Sequence, residues 1–239
     1  MLSQSIKTVI FDLDGTLRFN FPSADDIQYK IALTLGVKDA PGKQRKGARW
    51  VHYYWAQSCE LVTDLAEFGD MNVEFWINYS CRYLSSLGIA NNKSSALAPQ
   101  LYHLMEEKFL PEDKVYPHVH ETLQRLKDQG YTLGLVSNRS NPCQKQCEEL
   151  GLLNYFDFAY VAAEVNAWKP DPHIFDRALE ISGNLPEEII YVGDNYYADI
   201  VGARNANIHP ILFDPNSLFP DMDCTTIHSI QDLIPLLIS

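Results

Sequence analysis

The sequence predicts an α/β fold: a parallel sheet covered by helices on both faces, with an all-helical block inserted after the first strand. Three observations carry that expectation. Lys7–Phe11 is a short apolar, β-branched run of the kind buried on both sides. From Arg18 to about Asp113 strand-like alternation disappears and helical spacings take over. From Lys114 onward strands and helices alternate, the pattern of right-handed βαβ units.

The first strand ends in Asp12-Leu13-Asp14-Gly15-Thr16-Leu17. Strand side chains alternate faces, so Asp12 and Asp14 leave on the same side, roughly 6–7 Å apart at their Cα atoms. Two carboxylates there repel each other and lose hydration. A divalent cation or a shared proton makes such a pair tolerable. An Asp-capped strand end running into an Asp-Gly turn has the same spelling.

In the inserted block, Ala24–Leu35 follows the N-cap candidate Ser23 and stops at Gly36. Arg49–Phe68 reads as one helix ending at Gly69, Val73–Leu87 as another ending at Gly88, and Ser95–Leu110 as a fourth stopped by Pro111. Half of the aromatic residues fall between Arg18 and Asp113, enough for a small core of that block's own. Beyond it, helices at Val119–Gln129, Pro142–Leu150, Pro172–Ser182 and Tyr197–Ala206 alternate with strands at Tyr131–Val136, Phe156–Val161, Glu188–Val192 and Pro210–Phe213. The domain expectation is a core formed by residues 1–17 and 114–239, with residues 18–113 inserted.

Composition bounds the function. With 239 residues, 46% hydrophobic and 21% charged, the chain buries a sizeable core. A net charge of −12 argues against nucleic acid and against an anionic membrane surface. The apolar runs are strand-sized and the N-terminus lacks a signal-peptide pattern. Five irregularly spaced cysteines suit free thiols in a reducing compartment, and the expected location is the cytoplasm.

Ligands of open parallel sheets bind beyond the carboxyl ends of the strands. Those ends carry Asp12 and Asp14, then Ser137 and Asn138, then Asp194 and Asn195, while Lys169 lies in the connection after the weaker strand Phe156–Val161. Carboxylate oxygens suit Mg²⁺, and a lysine and a hydroxyl complement phosphate oxygens.

This ordered set resembles the haloacid dehalogenase-like hydrolase superfamily. The matching stretches are Asp12-Leu13-Asp14-Gly15-Thr16-Leu17, Ser137-Asn138, Lys169-Pro170-Asp171-Pro172, and Gly193-Asp194-Asn195 with Asp199 five residues after Asp194. The resemblance implies a Rossmann-like parallel sheet core with an inserted all-helical cap domain of the C1 type. It implies that Asp12 is a nucleophile forming an aspartyl-phosphate. Asp14 would be the general acid and then base, its main-chain carbonyl joining the carboxylates of Asp12 and Asp194 on Mg²⁺. Asp199 would hold the metal site from outside or through water. Ser137 and the Asn138 amide would bind the transferring phosphate, and Lys169 would neutralise charge between it and Asp12. Thr16 would donate to the phosphate or orient the acid.

The expected activity is hydrolysis of a small phosphomonoester such as phosphoglycolate, a sugar phosphate or a nucleotide phosphate. The expected partner is that metabolite, with no nucleic acid and no membrane, in a monomer or homodimer. A phosphomutase, a metal-independent 2-haloacid dehalogenase and a non-catalytic binding protein on the same scaffold are the alternatives; Asp14, Asp194 and Asp199 speak against the dehalogenase. Lys43, Arg45, Lys46 and Arg49 form a basic stretch, read either as a solvated loop or as a substrate-binding loop in which Arg49 meets an anionic substrate. Cys143 and Cys147 lie i, i+4 without a second ligand pair, which disfavours zinc.

Overall fold

A computed structural model of the protein describes residues 6–238. The chain divides into two compact units, one reaching Phe19 and resuming at Lys114, the other formed by Asn20–Asp113. In chain order the first unit opens with β1 (Thr8–Phe11), and the first crossing runs through β2 (Arg18–Phe21). The second unit contains α1 (Ala24–Thr34), α2 (Lys43–Trp55), α3 (Cys59–Phe68), α4 (Val73–Ser86) and α5 (Asn91–Lys108). The return runs through β3 (Glu112–Val115), which pairs with β2 as a two-stranded sheet. Then follow α6 (Val119–Asp128), β4 (Thr132–Ser137), α7 (Gln144–Glu149), β5 (Phe158–Val161), α8 (Ala162–Val165) and α9 (Asp176–Ser182). The chain finishes with β6 (Ile189–Gly193), α10 (Val201–Asn205), β7 (His209–Phe213), β8 (Thr225–Ile227) and α11 (Leu233–Leu237).

The main sheet has the order β5-β4-β1-β6-β7-β8, and its strand pairs are parallel. All four residues of β1 are buried, as a central strand covered on both faces demands. The period of two sorts the side chains: Val9, Phe11, Leu135 and Val192 enter one core with Leu123 and Leu126 of α6. Ile10, Val136 and Tyr191 enter the other, with Phe175, Ala178 and Ala203. Phe11 is opposite Leu135 of β4 and Val192 of β6, so Asp12 emerges level with Gly193. The strand order reverses direction around β1, which opens a crevice at the carboxyl ends where Asp12 lies.

The helical unit has its own apolar core. Leu84 of α4, Leu87 just past its end and Leu101 of α5 pack with Tyr29, Ile31 and Ala32 of α1, while Tyr54, Leu61, Phe75 and Tyr79 form a second cluster. A polar network threads the second cluster: Tyr54 donates to Asp64 at 2.8 Å, and Arg82 grips the same carboxylate with Nε at 2.8 Å and Nη2 at 2.7 Å. Asp64 is completely buried, so each acceptor lone pair facing the core needs such a partner.

Several elements differ from the sequence reading. Arg49–Phe68 is two helices, because the chain turns at Ala56–Ser58 with Gln57 at φ 55° and Ser58 capping α3 through the Leu61 N–H at 3.1 Å. The basic stretch 43–49 is the start of α2 and not a loop. Gly47 sits there because a Cβ would stand 2.8 Å from Leu87 Cδ2. Arg18–Phe21 and Glu112–Val115 are strands too short for alternation to show in the sequence. The C-terminal β8 adds an edge strand that the reading left out. Pro172–Phe175 is a 3-10 turn leading into α9. Among the described residues, no helix is long and apolar enough to cross a membrane.

Candidate active site

Asp12 follows β1, its N–H donating to the Val192 carbonyl at 2.9 Å, so the ladder with β6 continues one residue past the strand and holds the carboxylate at the sheet edge. The turn after it is tight: the Gly15 N–H donates to the Arg18 carbonyl at 2.8 Å, and the N–H groups of Leu17 and Arg18 both donate to the Leu13 carbonyl at 3.0 Å. Gly15 takes φ +83°, and a Cβ on it would stand 2.3 Å from Asp194 Oδ2. Only glycine fits both the backbone and the neighbour.

Asp194 leaves the end of β6, and Thr16 donates to its Oδ1 at 3.2 Å. Beyond it the chain widens into a π-helical turn, Tyr196–Ile200, capped by Asn195, whose side chain accepts from the N–H groups of Tyr197 and Ala198. Single π turns recur at functional sites. This one folds Asp199 back under the strand end, where its Oδ2 accepts the Asn195 N–H at 2.8 Å. Gly193 leaves room for it, since a Cβ there would lie 2.3 Å from the Asp199 carboxylate.

Lys169 is buried to 1% exposure and reaches Asp12 Oδ1 at 2.7 Å and Asp199 Oδ1 at 2.8 Å. Its loop is fastened by Asn138, which accepts from the Lys169 N–H at 2.7 Å and donates to the Lys169 carbonyl at 2.9 Å. Ser137, 2% exposed, ends β4 beside it.

The electrostatics follow from this crowding. Burial raises Asp12 to about 7, Asp199 and Asp14 add to the rise, and Lys169 opposes it. Lost hydration lifts Asp194 well above the usual carboxylate range, with repulsion from Asp199 and Asp12 behind it. Burial alone would lower Lys169, yet the carboxylates of Asp12 and Asp199 overcome that and hold it protonated. Oxygens of Asp12, Asp194 and Asp199 lie within 4.8 Å of one another. Three carboxylates against one ammonium leave excess negative charge among hard oxygen donors, and this donor set fits a divalent cation of the Mg²⁺ type.

The structure brings Asp12, Lys169, Asp194, Asp199 and Thr16 into one cluster, with Asn138 tied to the Lys169 loop. Two contacts add detail. Thr16 donates to Asp194 and so braces that acid, not Asp14. The Asn138 side chain is committed to the Lys169 peptide. Asp14 points to two guanidinium groups, Arg18 Nη1 at 3.2 Å and Arg139 Nε at 3.1 Å. Both arginines were missed. Arg18 stands i, i+4 from Asp14, a spacing visible in the sequence, whereas Arg139 is 125 positions away and only the sheet brings it there. Arg49 lies on α2 of the helical unit. Cys143 and Cys147 are buried and free, and His118 and His120 are exposed.

Comparison with known proteins agrees with this geometry. The family model described as haloacid dehalogenase-like hydrolase matches residues 6–207. The chain is 37% identical over 216 residues to a glyceraldehyde 3-phosphate phosphatase of Methanopyrus kandleri, covering 85% of this chain and 82% of the relative. It is 31% identical over 211 residues to the protein of the same name from Pyrococcus furiosus, covering 87% and 80%. A crystal structure of a HAD phosphatase from Thermococcus onnurineus superimposes with a TM-score of 0.56 at 25% identity, covering 98% of both chains. Acids at the ends of adjacent parallel strands, the match along most of the chain and these relatives point one way: the protein belongs to the haloacid dehalogenase-like hydrolases.

Proposed function

We propose that the protein is a Mg²⁺-dependent phosphatase of small phosphomonoesters, acting through an aspartyl-phosphate on Asp12. The observation that carries this reading is the buried Lys169 ammonium on Asp12 Oδ1 at 2.7 Å, with Asp194 and Asp199 closing the acidic cluster. A carboxylate is a weak nucleophile towards a dianionic phosphate, and a lysine beside it lowers that repulsion. The relatives named as phosphatases support the reaction class.

In the first step an Asp12 carboxylate oxygen forms a bond to phosphorus while the bond from phosphorus to the leaving oxygen breaks. Asp14 supplies the proton that the leaving alcohol takes. Water then attacks phosphorus, Asp14 accepts its proton, and the Asp12–phosphorus bond breaks to release phosphate. Lys169, Ser137 and the Asn138 main chain bind the phosphoryl oxygens. Asp12, Asp194 and the Asp14 carbonyl would hold Mg²⁺, with Asp199 behind them and Thr16 bracing Asp194. When bound, the cation neutralises phosphoryl charge as a Lewis acid. Residues 18–113 serve as a cap that selects the substrate, with Arg49 as its anion-binding side chain. Phosphoglycolate, sugar phosphates and nucleotide phosphates are the candidates.

The test is a panel of phosphometabolites with Mg²⁺, using Asp12→Asn as control. The wild-type protein should release phosphate from at least one compound, and the variant should lose at least about 10³-fold in kcat. Turnover that survives in EDTA, or that equals wild type in Asp12→Asn, would overturn the proposal.

A further inference from the structure

A lysine ammonium has three protons, and one buried as deeply as Lys169 needs an acceptor for each. One meets Asp12 Oδ1 at 2.7 Å, and the Asp199 carboxylate stands 2.8 Å away as an ion-pair partner. A second meets the hydroxyl of Tyr191 at 2.6 Å, and the third meets the Val136 carbonyl at the longer distance of 3.3 Å. Tyr191 donates to that same Val136 carbonyl at 2.7 Å. A phenol has one proton to give, so towards Lys169 the hydroxyl acts as acceptor. The hydrogen bonds therefore run in one direction, from Lys169 through Tyr191 to the backbone of β4.

The fold makes this tyrosine rigid. It lies on the central strand β6 opposite Ile10, on the sheet face from which Asp12 emerges just past the end of β1. Its ring packs edge-on against Phe175 with centroids 5.0 Å apart at 82°. Lysine swings on four rotatable bonds, whereas a packed tyrosine ring has only two.

We propose that Tyr191 is a positioning residue for the reaction: its hydroxyl, wedged between the Lys169 ammonium and the Val136 carbonyl, keeps that ammonium on Asp12 and Asp199. This rests on the phosphatase reading above. Without the hydroxyl the Val136 carbonyl loses its shorter donor and is left with the Lys169 ammonium alone. Lys169 then sinks towards it and away from Asp12. Charge on the phosphoryl oxygens is neutralised less well in the transition state, while ground-state binding of the substrate changes little.

The experiment compares Tyr191→Phe with Tyr160→Phe, using p-nitrophenyl phosphate and Mg²⁺ well below the melting temperature of each variant. Tyr160 is a buried tyrosine of the same core whose hydroxyl donates to the Ile174 carbonyl at 2.6 Å. Both substitutions remove a buried hydroxyl from a backbone acceptor and should lower Tm. Only Tyr191→Phe should lower kcat, by about tenfold with KM within about twofold of wild type. Its crystal structure should show Lys169 Nζ shifted towards the Val136 carbonyl. A kcat loss no larger than that of Tyr160→Phe, a rise in KM at constant kcat, or an unmoved Lys169 would each refute the proposal. A wild-type protein inactive on every phosphomonoester, or an Asp12→Asn variant as active as wild type, would instead refute the phosphatase reading, and the position of Lys169 would still test Tyr191.

Discussion

At the scale of single residues the site depends on two positions that have no side chain. Gly15 and Gly193 give Asp194 and Asp199 the space their carboxylates occupy, and Gly15 also needs its positive φ. Gly15→Ala combines backbone strain with a Cβ 2.3 Å from Asp194 Oδ2, so Asp194 must move. Binding of Mg²⁺, measured by calorimetry, should weaken by roughly 10–100-fold, the range found when a group supporting a metal ligand is lost. The acids themselves were legible because carboxylates at strand ends stand out against apolar runs. The partners of those acids were not. Thr16 and Asn138 each have several hydrogen-bonding options in a sequence, and the choice of Asp194 for one and the Lys169 peptide for the other depends on where neighbouring strands end. Tyr191 reads as one more apolar strand residue until its hydroxyl is seen beside Lys169.

At the scale of elements, the boundaries moved wherever local polar chemistry overrode periodicity. Ser58 breaks what the apolar spacing joins, because its hydroxyl offers the Leu61 N–H a cap that favours a new helix start. The five-residue interval between Asp194 and Asp199 is taken up as a π turn, which brings Asp199 back to the ammonium of Lys169. In the helical unit, α2, α3 and α4 are joined by Tyr54, Asp64 and Arg82, which no pattern of apolar residues announces. Asp64→Ala strands a buried phenol and both prongs of a guanidinium fork. It should destabilise the helical unit by about 3 kcal/mol. Urea unfolding followed by tryptophan fluorescence measures this well, since Trp50, Trp55 and Trp76 lie in that unit. An unchanged midpoint would mean that water replaces the carboxylate without penalty.

At the scale of the whole molecule, the acidic cluster links stability to pH and, on the proposed Mg²⁺-dependent reading, to metal. The Asp12 carboxyl rises to about 7 in the folded protein, mainly through burial, against about 3.9 when unfolded. A raised carboxyl favours the folded state fully below about pH 4, and that advantage is lost as pH climbs to about 7. In EDTA, wild type should therefore lose stability relative to Asp12→Asn across that interval, as read from thermal melts. Mg²⁺ at a hundredfold excess over its Kd should restore about 2.7 kcal/mol to wild type at pH 7. A difference between the two proteins that stays flat with pH would contradict the shift. What the sequence determined by itself was the α/β class and the chemical kind of the site. Strand burial and the alternation of helix and strand are written in local hydrophobic period, and a parallel sheet gathers its strand ends on one edge. What only the tertiary structure decided was the wiring of that edge: Arg139 on Asp14, Asn138 on the Lys169 loop, and Tyr191 beneath the ammonium. Those contacts join residues from 22 to 125 positions apart, and their geometry depends on the register of neighbouring strands and on loop paths that no local pattern encodes. The acids Asp12 and Asp14 can be read off one strand, but the groups that hold and neutralise them come from the others.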